Sequence, residues 1–166
     1  GTVTRFLHVS TDEVYGSCDG GRKMEADATN PTNPYAASKA AAESVVRGYV
    51  NAFQFPALIA RGNNVYGPRQ YPEKLIPKFA LRLLRGDKCC VHGDGGNRRH
   101  YVHVRDAVEA LLLLLHEGAL GEVYNIGSES EFTNLQIATK LIGLLKPGEP
   151  AEDWIEHVPD RAFNDT

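Results

Sequence analysis

The sequence has no long apolar run. Its longest, Ala110 to Leu115, falls far short of the roughly 20 residues a transmembrane helix needs. The first residues lack the basic-then-apolar pattern of a secretory signal. Charge of one sign is also missing: 18 Lys and Arg stand against 21 Asp and Glu, a formal net charge of −3. That balance gives no electrostatic reason to expect a nucleic acid or a membrane surface as partner. Cysteine is scarce: Cys18, Cys89 and Cys90 are odd in number and lack zinc-ligand spacing, so no metal site is expected. Adjacent cysteines make a poor disulfide, so the three read as free thiols in a reducing compartment; with no targeting segment, a cytoplasmic location is expected. No internal repeat or low-complexity segment is present. What remains, with 42% hydrophobic and 23% charged residues, is a globular chain whose 166 residues suggest one domain.

Strand and helix signals alternate along it. Phe6–Ser10 is a short β-rich run, followed by a polar, glycine-containing loop. Pro34 sits where a helical first turn accepts proline, and the Ala-rich stretch from Tyr35 to about Phe53 is strongly helix-forming. Ala57–Ala60 reads as a second buried strand, Gly62–Pro72 as a loop and Leu75–Leu84 as an apolar helix. Cys89–Val91 and Tyr101–Val104 are short strands around a glycine-rich basic turn, Gly93–Arg99. Asp106 lies near the start of a helix over Ala107–Leu115, where an acid complements the helix dipole. Glu122–Ile126 is a further strand, and Thr133 with Gln136 forms a capping-box pattern opening a helix over Leu135–Leu145. The alternation predicts an α/β fold with helices on the faces of a parallel sheet. The chain opens on a strand with no preamble and stops after Arg161 without a cap, so both ends read as cut.

Two clusters carry chemistry. Tyr35 and Lys39, at i and i+4, share one helical face, where an ammonium favours the phenolate and makes the tyrosine usable as a base. Alone, Tyr-x-x-x-Lys is common in helices. Upstream, at the end of the first strand, stands Ser10-Thr11-Asp12-Glu13-Val14-Tyr15-Gly16. A hydroxyl and two carboxylates at the C-terminal edge of a strand lie where open α/β sheets bind ligands, although a solvated acidic turn has the same composition.

Those residues, with Pro31-Thr32-Asn33-Pro34-Tyr35-x-x-x-Lys39, resemble the extended short-chain dehydrogenase/reductase superfamily. More narrowly, they look like the nucleotide-sugar 4,6-dehydratases of its NAD-dependent epimerase/dehydratase family. Asn63-Asn64-Val65-Tyr66-Gly67-Pro68, Tyr71 to Pro77, Tyr124-Asn125-Ile126-Gly127 and Asp160 to Asp165 extend the resemblance over the whole chain. Thr11-Asp12-Glu13 discriminates best, because related epimerases and decarboxylases lack the Asp-Glu pair. The resemblance implies the C-terminal part of a Rossmann-type doubly wound parallel sheet plus part of a smaller substrate-binding α/β domain. Residues 1–62 would be the C-terminal half of the NAD-binding domain, and 63–166 a partial nucleotide-sugar-binding region interleaved with the remaining Rossmann elements. It further implies NAD as cofactor, dTDP-glucose or UDP-glucose as substrate, and a homodimer paired through helices such as Tyr35–Phe53.

The same resemblance assigns roles. Tyr35 would take the proton of the sugar C4 hydroxyl while Thr11 hydrogen-bonds that oxygen and Lys39 holds the cofactor ribose. Glu13 would remove the C5 proton and Asp12 protonate the departing C6 hydroxyl, which requires environments that set the two carboxyls apart. Val65 falls on a cofactor-contact position. Asn64, Lys74, Leu75, His92, Arg99, Asn134 and Arg161 match positions lining the nucleotide-sugar site. Arg99 and Arg161 have the fork geometry suited to a pyrophosphate. His92 stands where relatives carry a stacking aromatic, Cys90 where they often have proline, Asn125 reads as satisfying backbone groups, and Asn134 could equally cap its helix. The family's Gly-x-x-Gly-x-x-Gly loop precedes no strand in this sequence, so a fragment is expected, and a non-catalytic binding module is the alternative reading.

Overall fold

The computed structural model describes residues 2–17 and 21–160. Its elements run β1 (Phe6–Thr11), a 3₁₀ turn (Asp12–Tyr15), α1 (Pro34–Phe53), β2 (Ala57–Gly62), β3 (Asn64–Tyr66), α2 (Leu75–Arg85) and β4 (Cys89–His92). Then come β5 (Arg98–His103), α3 (Val104–Glu117), β6 (Val123–Ile126), β7 (Glu131–Thr133), α4 (Asn134–Leu145), a second 3₁₀ turn (Ala151–Trp154) and β8 (Ile155–Val158). Where length suggested one domain, the chain divides into two compact units. One is built from the stretch ending at Val65 together with Val102–Ser128, the other from Tyr66–Tyr101 together with the stretch beginning at Glu129.

In the first unit β2 is the central strand of the order β1-β2-β6. Phe6 pairs with Ala57 and Thr11 with Gly62, while Ile59 pairs with Val123 and Gly62 with Ile126, all in parallel. The sequence explains the arrangement: Ala57, Leu58, Ile59 and Ala60 form the uninterrupted apolar run a strand covered on both faces requires, and all four are buried. Because the strands are parallel and in this register, the residues that follow them, Asp12, Asn63 and Gly127, emerge at one edge.

Helix α1 starts as its sequence indicates. The Asn33 side chain accepts from the Ala36 amide at 2.8 Å, and Pro34 occupies the first turn. Its inner face buries Ala36 and Glu43. Glu43 meets Arg61 of β2, and Arg61 Nη2 lies 2.6 Å from Glu43 Oε2 with both side chains almost fully buried. The guanidinium also sits 4.6 Å from the centre of the Tyr15 ring, tying helix, strand and 3₁₀ turn together. Burial alone would raise the Glu43 pKa, but the Arg61 hydrogen bonds and charge outweigh it and hold the carboxyl below the usual range.

The second unit is centred on Phe79 and Leu83 of α2, Cys89 and Val91 of β4, and Ala138 and Ile142 of α4. β4 pairs with β8 in parallel. β5 pairs with β7 antiparallel, so the wholly parallel sheet expected from the alternation holds for the first unit and not for this pair. The capping box at Thr133 and Gln136 forms as read; Thr133 is the cap, and Asn134 is the first helical residue rather than a cap. α3 begins at Val104 instead of Ala107, because the His103 side chain accepts from the Arg105 amide and opens the helix earlier. Cys89 and Cys90 are free thiols, and burial pushes the Cys89 thiol up to about 11. Cys18 lies outside the described residues. Among the described residues no helix is long and apolar enough to cross a membrane, and no cluster of candidate metal ligands occurs.

Candidate active site

The C-terminal edge of the first sheet gathers five of the residues singled out by the sequence. Thr11 ends β1, and its hydroxyl oxygen accepts from the Glu13 amide at 3.3 Å, capping the 3₁₀ turn that carries Asp12 and Glu13. Val14 and Tyr15 bury beneath that turn, so Asp12 and Glu13 are left half-buried at its outer side. Gly16 closes the turn at φ +75°; a Cβ there would lie 2.1 Å from the Asn30 carbonyl oxygen, so only glycine fits.

The two carboxyls have different partners. Asp12 Oδ2 accepts from Asn63 Nδ2 at 2.6 Å, while the Thr11 hydroxyl lies 3.3 Å from Asp12 Oδ1. Glu13 Oε2 accepts from Asn33 Nδ2 at 3.1 Å. Asn63 and Asn33 received no role from the sequence, although both stand inside quoted motifs. Asn63 directly follows β2 in a parallel sheet, one strand from Asp12, and that register was the signal that could have found it.

Helix α1 brings its first turn to the same edge. The Lys39 ammonium donates to the Val9 carbonyl of β1 at 2.9 Å. Tyr35, one turn earlier, keeps 53% of its surface exposed. Asn64 is half-buried in β3 and Val65 is exposed beside it. Asn125 satisfies the groups expected of it and one more: its amide donates to the Lys23 carbonyl, and its side-chain oxygen accepts from the Tyr15 hydroxyl at 2.8 Å.

The remaining candidates among the described residues belong to the second unit. Lys74 is exposed just before α2, 3.4 Å from Glu73, and Leu75 begins that helix against its apolar core. His92 ends β4 with Nδ1 3.1 Å from the Pro159 carbonyl. Arg99 is half-buried in β5, with Nη1 donating to the Arg98 carbonyl, and Asn134 donates its backbone amide to Asn97. Arg161 lies outside the described residues.

The geometry matches known proteins. The chain is 48% identical over 166 residues to a mouse protein named dTDP-D-glucose 4,6-dehydratase, covering 98% of this chain and 47% of that one. A trifunctional Arabidopsis thaliana protein, whose name includes UDP-glucose 4,6-dehydratase, is 45% identical over 99% of this chain and 25% of its own. Among solved structures, a dTDP-glucose 4,6-dehydratase from Streptomyces venezuelae with NAD and TYD bound superposes with a TM-score of 0.90 at 42% identity. It covers 96% of this chain and 48% of that one. The chain thus spans about half the length of the mouse and Streptomyces proteins it matches. The model of the NAD dependent epimerase/dehydratase family matches residues 1–127, and the chain belongs to that family.

Proposed function

We propose that the protein carrying this chain is a nucleotide-sugar 4,6-dehydratase converting dTDP-glucose to dTDP-4-keto-6-deoxyglucose. The observation that carries the reading is the pair of adjacent carboxyls, Asp12 and Glu13, each held by a different amide beside the turn bearing Tyr35 and Lys39. Epimerisation at C4 needs a base for one hydroxyl. Dehydration needs in addition a base for C5–H and an acid for the C6 oxygen, and these two carboxyls supply both.

Tyr35 takes the C4 hydroxyl proton, with Thr11 hydrogen-bonding the same oxygen. The ketone so formed acidifies C5–H, Glu13 removes that proton, and Asp12 protonates the leaving C6 hydroxyl as water departs. NAD, when bound, would supply the acceptor for the C4 hydride and its later donor to C6, with Glu13 returning its proton to C5 as the hydride arrives. The residues fit its nicotinamide riboside: an exposed phenol and an ammonium on one helical face offer hydroxyl partners, and Val65 offers an exposed apolar contact. We assign Asn64, Lys74, Leu75, His92, Arg99, Asn134 and Arg161 to the nucleotide sugar, with the two arginines on the pyrophosphate. Val45, Tyr49 and Phe53 form an exposed stripe at helical spacing on α1, which supports a homodimer paired through that helix. Cytoplasmic location accords with a nucleotide-sugar substrate.

The Arabidopsis relative favours a second reading, with UDP-glucose as substrate and the same chemistry. Mass spectrometry after incubation with NAD and either nucleotide sugar tests both. A product lighter by one water identifies the dehydratase and its preferred base, and a product of unchanged mass refutes both readings.

A further inference from the structure

Resting on that reading, we propose that Asn63 and Asn33 are positioning residues that select the reacting oxygen of each carboxyl, Oδ1 for Asp12 and Oε1 for Glu13. An amide nitrogen only donates. Asn63 Nδ2, 2.6 Å from Asp12 Oδ2, therefore makes that oxygen the acceptor, and the proton of the acid sits on Oδ1, which still accepts the longer, 3.3 Å hydrogen bond from the Thr11 hydroxyl. Glu13 Oε2 is likewise occupied by Asn33 Nδ2, and among the described residues Oε1 has no hydrogen-bond partner, so Oε1 is the base.

Neither amide is free to turn over. Asn33 Oδ1 caps α1 by accepting from the Ala36 amide, which aims its nitrogen at Glu13. Asn63 is fixed at its backbone, whose amide donates to the Ile126 carbonyl at 2.9 Å. With Asp12 ionised, as it is once its proton has passed to the leaving oxygen, a reversed side-chain amide would set two acceptor oxygens 2.6 Å apart. Its own oxygen occupies the space over Gly127, where a Cβ would come within 1.9 Å. Two neighbouring carboxyls are thus pinned from different elements, one from the end of β2 and one from the start of α1. Acid and base can then act on different atoms of one sugar.

The test uses the NAD-loaded protein with dTDP-glucose and three readouts: cofactor reduction at C4, solvent-deuterium entry at C5, and loss of water. Asn33→Ser retains a capping side chain but cannot reach Glu13. It should leave cofactor reduction at its normal rate and lower both deuterium entry and water loss about 10²-fold, the scale of a small misplacement of a reacting group. Asn63→Ala should retain reduction and deuterium entry while lowering water loss by about the same factor. Gly127→Ala, which displaces the Asn63 amide without removing it, should reproduce the Asn63→Ala pattern. Water loss lowered in both variants, with deuterium entry lowered in Asn33→Ser and kept in Asn63→Ala, supports the assignment. Normal water loss in both, or an equal fall in all three readouts, overturns it while leaving the dehydratase reading intact. Unmutated protein that releases no water from its sugar refutes the reading and the assignment together.

Discussion

Replacing Glu43 by glutamine tests the deepest electrostatic feature of the first unit. The carboxylate and Arg61 are each 2% exposed, and the Arg61 Nε and Nη2 groups both donate to it. Glutamine keeps the volume but leaves a guanidinium buried without a counter-charge. Breaking a buried pair from one side costs about 3–5 kcal/mol. A chain of 150–250 residues loses about 2–4 °C in Tm per kcal/mol, so the melt should fall by roughly 6–20 °C. Removing both charges should be far milder: Glu43→Leu with Arg61→Met leaves no orphaned ion, and methionine still fills the space against Tyr15. Circular-dichroism melts of Glu43→Leu, Arg61→Met and the double form the cycle, beside Glu43→Gln. The pair also sets a pH dependence. Glu43 titrates below the ordinary carboxylate value in the folded chain, so its contribution is complete above the unfolded pKa near 4.5 and is lost as pH falls through the folded one. Glu43→Gln should erase that acid slope. A single variant costing under about 1 kcal/mol, or a double as unstable as the sum of the singles, would refute the account.

Tyr35→Phe should lower cofactor reduction by nucleotide sugar by about 10² to 10⁴ in stopped-flow absorbance. Phe79→Ala should cost the second unit about 3–5 kcal/mol in urea titrations, since the ring is 1% exposed in its core. Gly16→Ala should destabilise by at least about 1–3 kcal/mol, the strain of its positive φ alone, before the clash with the Asn30 carbonyl is counted. His8 is held neutral by burial and by the charge of Lys39, so its pKa lies below 6.5. Its contribution is complete above that value and lost as pH falls through the lowered folded one, so the urea midpoint should drop as pH is taken below 6.5, and His8→Leu should flatten the fall.

Most of this was legible in the residues because local chemistry and tertiary packing agree. Asn33-Pro34 starts α1, Thr133 and Gln136 start α4, and the apolar run at Ala57 is the buried central strand. β3, β7 and β8 escaped notice: β3 lies inside what reads as the Gly62–Pro72 loop, and the pairings that make β7 and β8 strands, Thr133 with Arg98 and Ile155 with Cys89, are made across long stretches of sequence. β5 begins at Arg98, inside what reads as a basic turn, because pairing of Arg98 with Thr133 is a tertiary event that composition does not announce. In the site, Thr11, Asp12, Glu13, Tyr35 and Lys39 announced themselves as reactive types at telling spacings. Asn33 and Asn63 did not, since an amide that orients a carboxyl looks in sequence like any loop asparagine.

The interleaving of the two units bears on how the chain acquires its structure. Central strand β2 cannot complete its pairing until β6 exists, and the whole Tyr66–Tyr101 segment is synthesised in between. During synthesis the apolar Ala57–Ala60 run has one neighbour, β1, and an unfilled edge. Closing so long an excursion carries an entropic cost that local helices cannot offset, which favours slow, late consolidation of the sheet. Premature termination between Gly62 and Val123 would therefore release a product with Thr11, Asp12, Glu13, Tyr35 and Lys39 all present in sequence, yet with β2 still open to an intermolecular strand.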